Sequence, residues 1–237
     1  MLFRSNQVID TAAQLQSFKL AFVAIGAGSA GATKALQDVS RIALGLGVDI
    51  NTIQEGFKQL SPVVLSTGGS ITDVSSITEA LSSRFAAFGI SGDRARRVMS
   101  GVIQAFAKGK LQAEELTQQI SEADPAFKTD LAQALFAARG ALGDLGKEVD
   151  GTTSNLEVLV KQGKITSAVL REVLPGLSKS ALLFGKLGDS GQSAITALER
   201  NAVTIDQVRN NLKNLNQISL RKLAIAVNPL INAFLKV

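Results

Sequence analysis

Apolar residues recur at intervals of three and four along almost the whole chain. Val8, Ala12, Leu15, Phe18, Phe22 and Ile25 form one stripe; Ala32, Ala35, Leu36, Val39, Ile42, Ala43 and Leu46 form the next. Ile50, Ile53, Phe57 and Leu60 follow, then Ile71, Val74, Ile77, Leu81, Phe85 and Phe88, then Ala95, Val98, Met99, Val102, Ile103 and Phe106. Each set lines one face of an α-helix. No stretch sustains period-two alternation, so the pattern predicts an all-α protein, a multi-helix array of αα-hairpins with no sheet. From Thr204 onward, Val208, Leu212, Leu215, Ile218, Leu220 and Leu223 predict a longer helix, interrupted at Asn228-Pro229.

The junctions repeat one chemistry. Gly47-Val48-Asp49 and Gly89-Ile90-Ser91 place a glycine where a helix closes, an apolar residue that packs back, and a side chain that caps the next helix. Asn201-Ala202-Val203-Thr204 follows the same logic, with Gln207 completing a capping box. Two further junctions share a Gly-Lys pair: Gly109-Lys110-Leu111-Gln112 and Gly163-Lys164-Ile165-Thr166. Pro62, Pro125, Pro175 and Pro229 mark breaks or first turns. Gly140, Gly143, Gly146 and Gly151 crowd together, which places a boundary between an N-terminal lobe, residues 1–139, and a C-terminal lobe, residues 140–237. The helical apolar pattern of Ile231, Phe234 and Leu235 runs to Val237, as expected of one ordered piece of a longer chain.

Composition narrows the chemistry. The chain has no His, Cys, Trp or Tyr. Without Cys there is no disulfide, thiolate nucleophile or cysteine-ligated metal. Without His, Ser-His-Asp and Cys-His catalysis are impossible within the chain. Neither an enzyme nor a cofactor or metal is expected. The 25 basic and 20 acidic residues leave a net charge of +5, suited to an acidic surface without demanding nucleic acid. The longest weakly polar run, Leu20 to Thr33, falls short of the ~20 residues that span a bilayer, and no signal-peptide pattern follows Met1.

Several motifs imitate active sites. Gly26-Ala27-Gly28-Ser29-Ala30-Gly31 matches the dinucleotide fingerprint, with Phe22 to Ile25 as its strand and Asp49 as its ribose acid. Helical spacing runs straight through that strand, so a small-residue helical turn is the reading preferred, with dinucleotide binding kept as the alternative. Gly188-Asp189-Ser190-Gly191 and the elbow around Ser29 lack the histidine base their chemistry needs. Glu114 and Glu115 fall in a first helical turn, where negative charge complements the helix dipole. Arg84, Arg94, Arg96, Arg97, Lys108 and Lys110 form the densest basic stretch. It is read as a solvated face, with Arg94, Arg96 and Arg97 as contacts to an anionic partner. A DNA-binding or ejection role is a further alternative, without interleaved aromatics to support it.

The stretch from Gly47 to about Leu174 resembles the N-terminal region of tail tape measure proteins from long-tailed bacteriophages. The resemblance rests on the helix after Gly47-Val48-Asp49, the helix closed by Gly89-Ile90-Ser91, and the string Ala107-Lys108-Gly109-Lys110-Leu111-Gln112-Ala113-Glu114-Glu115-Leu116. It continues through Gln119-Ile120-Ser121-Glu122-Ala123-Asp124-Pro125 and the second Gly-Lys turn, Leu159 to Thr166. Asp124 stands where an apolar residue is expected. The resemblance implies a structural virion protein of the tail lumen, acting in tail-length determination, assembly and genome ejection. It implies sister copies, three or six, and contact with the tail tube, baseplate or tail-terminal proteins. Membrane contact by Leu20 to Thr33 after ejection is left open. Gly47, Gly89, Gly109, Lys110, Gly163 and Lys164 are expected to form turns, and Phe85, Phe88, Val98, Val102 and Phe106 to pack.

Overall fold

The computed structural model describes residues 13, 15–178, 210 and 212–222. The protein is all-α: the described residues form helices joined by short turns, with no strand among them and a single isolated bridge, Lys110 to Thr166. In chain order the helices are α1 (residues 15–24), α2 (Gly28–Leu46), α3 (Ile50–Ser66), α4 (Ile71–Phe88), α5 (Gly92–Ala107), a π-helical segment (Glu115–Ser121), α6 (Phe127–Ala138), α7 (Asp144–Glu148), α8 (Thr153–Lys161), α9 (Ser167–Val173) and α10 (residues 212–222). The expected capping box of Thr204 with Gln207 and the Gly188-Asp189-Ser190-Gly191 loop lie outside the described residues, as does Pro229.

Gly47 ends α2 at φ 67° and hands its amide to the Ala43 carbonyl; Asp49 then accepts from Asn51 N at 2.9 Å and caps α3. Gly89 ends α4 at φ 62°, and Ile90 packs into the core behind it. Ser91 departs from expectation, because its side chain makes no capping bond. Gly92, at φ 55°, turns the chain between Ser91 and the first amides of α5. Ser70 and Asp73 form a reciprocal capping box on α4. Pro62 does not break α3, which continues to Ser66. The proline is exposed, on the face of α3 turned away from the core.

The dinucleotide alternative fails on this geometry. Phe22 belongs to α1 and is fully buried, its ring tilted against those of Phe18 and Phe57 at centroid distances of 4.6 and 5.9 Å. The strand required before Gly26 is therefore a helix, and Asp49 caps α3 instead of waiting for a ribose. The apolar run from Leu20 to Thr33 is split between α1 and α2 by a turn at Gly26, φ 80°. No described helix is long and apolar enough to cross a membrane.

α3 is the central element, packed on α2, α4 and α5, while α2 also lies against α4. Arg41 reaches across that contact and clamps the Glu79 carboxylate with two bonds, 2.7 and 2.8 Å. α5 packs on the π-helical segment, α6 on α8 and α9, and α4 on the short turn Leu174–Gly176. Buried apolar residues from α1 to Leu177 form one cluster, with Leu156, Leu159, Ile165 and Leu170 in contact with the rest of it. Close crossings use glycine as a missing side chain. A Cβ on Gly101 would sit 2.6 Å from Ile120 Cγ1, so α5 approaches the π-helical segment only because no side chain stands there.

Gly146, inside α7, is more constrained: a Cβ there would land within the carbonyl group of Arg139. Replacing a helical glycine with alanine ordinarily stabilises by up to ~1 kcal/mol. Here the sign reverses. Gly146→Ala should lower stability by about 1–3 kcal/mol, read by urea unfolding, because backbone must move to admit the methyl. A gain in stability would disprove the close approach.

Candidate functional site

The two Gly-Lys junctions meet. Gly109, at φ 75°, closes α5 and its amide reaches the Phe106 carbonyl; Gly163, at φ 68°, closes α8 with the paired bonds Gly163 N to Val160 O and Lys164 N to Leu159 O, each 2.9 Å. That pairing is a Schellman cap, which needs a left-handed residue and so favours glycine. The next apolar residue of each junction, Leu111 and Ile165, is buried. Their backbones then join: Leu111 N donates to Ile165 O at 2.8 Å and Ser167 N to Gly109 O at 2.9 Å. The side chain of Lys110 lies over Gly163, its Nζ 3.3 Å from where a Cβ would be. Lys164 pairs with Glu148 at the surface. Residues far apart in sequence thus close into one clasp.

Next to the clasp, the two glutamates part company. Glu114 is exposed, whereas Glu115 is fully buried, accepting from Gln112 N at 3.1 Å and from Lys108 Nζ. The Glu115 carboxylate holds the Lys108 ammonium above its ordinary range. Glu115 therefore caps the helix that carries the π-helical segment, a tighter role than a favourable charge in a first turn.

The basic stretch is not one solvated face. Arg84 has no exposed surface and sits between two carboxylates: its Nε and Nη2 meet Asp124, the latter at 2.9 Å, and its Nη1 meets Asp130. The rings of Phe88 and Phe127 lie 4.6 and 5.4 Å from the guanidinium centre. Burial pushes the guanidinium pKa down, and the hydrogen bonds and charges of Asp124 and Asp130 more than restore it, so Arg84 is held above its ordinary value. This corrects the expectation for Arg84 and explains the acid at position 124, where the family resemblance led to an apolar residue being expected. A cation alone in the core would be untenable. Arg94 is likewise engaged, its Nε donating to the Ala123 carbonyl at 2.9 Å just before Asp124. Arg96 pairs with Asp93 at the surface, and Arg97 is exposed. Sequence reasoning missed Asp130 and the burial of Arg84; the polar residue at 124 was the available signal.

α10 adds a third feature. Asn214 is fully buried; its Oδ1 accepts from Ile50 N at 3.0 Å and its Nδ2 donates to Val48 O at 2.8 Å. Asn210 donates to Gly47 O at 3.0 Å, Lys213 pairs with Asp49, and Arg221 reaches Gln54. α10 thereby seals the α2–α3 junction with side-chain amides. A shallow groove of about 270 Å³ lies between Leu116, Thr117, Lys128, Glu157, Val160 and Lys161, bridged by the Lys128–Glu157 pair at 2.7 Å. No described residues group as metal ligands. What the arrangement does is hold helices in register.

A protein of this kind is a helical structural component. Residues 6–215 match the tape measure protein family, and the chain belongs to that family, whose members are structural proteins of the phage virion tail. No curated protein and no solved structure matches it.

Asp124→Asn leaves Arg84 with the single carboxylate of Asp130 and removes the charge from the partner that takes two of its donors, which should cost about 1.5–3 kcal/mol by urea unfolding. A loss below ~1 kcal/mol would mean the guanidinium is not buried. At Asp49, burial raises the carboxyl pKa but the Lys213 hydrogen bond and the Asn51 and Thr52 amides lower it further, leaving it below its ordinary value. A lowered native pKa stabilises above the usual carboxylate range near 4 and is lost as pH falls through the native value. Lys213→Met should therefore reduce stability at pH 7 and flatten its decline below pH ~4. Parallel pH profiles for both proteins would refute the linkage.

Proposed function

We propose that this chain is a folded assembly domain of the tape measure, held in the tail lumen beside sister copies. There it takes part in tail-length determination, tail assembly and genome ejection by docking on the tail tube, the baseplate or a tail-terminal protein. The observation that carries this reading is the capped turn at each junction from α2 to α5. A ruler converts residue count to distance at ~1.5 Å per residue only while a helix runs on uninterrupted. Gly47, Gly89 and Gly109 turn this chain back on itself, so its residues build a body instead of a length. The net charge of +5 and the exposed Arg96 and Arg97 suit an acidic lumen wall.

The test uses virions. An insertion of about 21 helix-forming residues between Gly140 and Ala141, both exposed, would lengthen the tail by ~32 Å if every residue were counted. Tails of unchanged length by electron microscopy are expected, and an increase of that size would overturn the assembly-domain reading. In the same assay Arg96→Glu with Arg97→Glu should reduce the yield of complete tails; a normal yield would remove the acidic wall from the proposal.

A further inference from the structure

The fold buries two arginines and treats them differently. Arg84 lies between two carboxylates. Arg221, on α10, is 7% exposed, and its Nη2 donates to the neutral amide oxygen of Gln54. Its Nη1 is buried without a partner, as is Gln217 Oε1 one turn earlier. Burial pushes the Arg221 guanidinium pKa down, and no described carboxylate offsets it. A cation held out of water against a neutral partner is disfavoured, so the seated position of α10 carries that cost.

Little apolar burial opposes it. In α10, Leu212 and Leu215 are exposed and Ile218 and Leu220 half-buried, whereas α2 to α5 each bury a full apolar stripe. What seats α10 is polar. Asn214 accepts from Ile50 N at 3.0 Å and donates to Val48 O at 2.8 Å, Asn210 donates to Gly47 O, and Lys213 pairs with Asp49. Each of these bonds is exchanged for a bond to water when the helix lifts, so each holds it weakly. Ile50 is the first residue of α3, where a backbone amide has no carbonyl of its own helix to bond. Its hydrogen bond therefore rests on α10.

We propose that α10 is a releasable strap: it lifts off the α2–α3 turn while α2 to α5 stay folded, held down by Asn214 and drawn toward water by the unpaired Arg221 charge. Lifting bares Gly47 O, Val48 O and Ile50 N, the groups that Asn210 and Asn214 satisfy when the strap is seated. It also frees the Asp49 carboxylate from Lys213. The fold thus has a second state of low free energy in which this polar turn is open.

The test is native-state hydrogen exchange of the full 237-residue chain. The Ile50 amide should exchange at least ~100-fold faster than those of Phe57 and Leu60, buried further along α3, through an opening that dilute urea barely accelerates. Arg221→Met removes the buried charge and leaves an apolar chain in its place, so it should slow Ile50 exchange about tenfold. Lys222→Met removes an exposed charge beside it and should leave that rate unchanged. Fraying of α3 by itself would not respond to Arg221, about two turns along α10 from Asn214. Ile50 exchanging no faster than Phe57 and Leu60, an Arg221→Met rate equal to or above that of the parent, or the same slowing in both variants would each overturn the strap.

Discussion

A guanidinium taken out of water loses its hydration on every side, and the fold around Arg84 is organised to replace it. Asp124 fills two of its donor positions from the end of the helix that carries the π-helical segment. Asp130 fills another from α6, and two phenylalanine rings lie beside the cation. Three elements are therefore positioned by one side chain. Such a cluster adds less stability than a well-packed apolar core of equal volume. It is also intolerant of misplacement, because any register of α4 that moves Arg84 leaves charges unpaired in the core. The arginine makes the relation of α4, the π-helical segment and α6 a matter of near all-or-none pairing.

Around this point the remaining contacts are short-range. Helices meet where side chains are absent, as at Gly101 and Gly146, and they stop where glycine adopts φ values that other residues resist. These features set where helices begin, end and cross. Membership of the tape measure family places the chain in the phage tail.

Much of the helical order is legible in the sequence. The three-and-four spacing located α2 to α5, and the Gly47-Val48-Asp49 string marked a helix end and the next helix start in three letters. Other features were not readable, for physical reasons. Charge is presumed to lie at the surface, so Arg84 reads as part of a solvated face until its two carboxylates, at sequence distances of 40 and 46, are seen beside it. Leu116, Ile120 and Ala123 have ordinary helical spacing, which conceals the wider π turn between them. The two Gly-Lys junctions looked alike, but likeness does not say that they touch. In α10 the apolar stripe was read correctly as helix, yet which side faces the body was decided by Asn214, whose amide matches exposed backbone groups better than leucine does.

The bridge at Lys110 and Thr166 has a mechanical corollary. Its two hydrogen bonds tie the chain together across residues 111–165, so while it holds, that stretch is a closed loop off the line of any pull between the chain's ends. Once the neighbouring helices part and the bridge opens, about 55 residues enter that line at ~3.4 Å each, on the order of 190 Å of slack. Two hydrogen bonds thereby govern a reach many times the width of a helix.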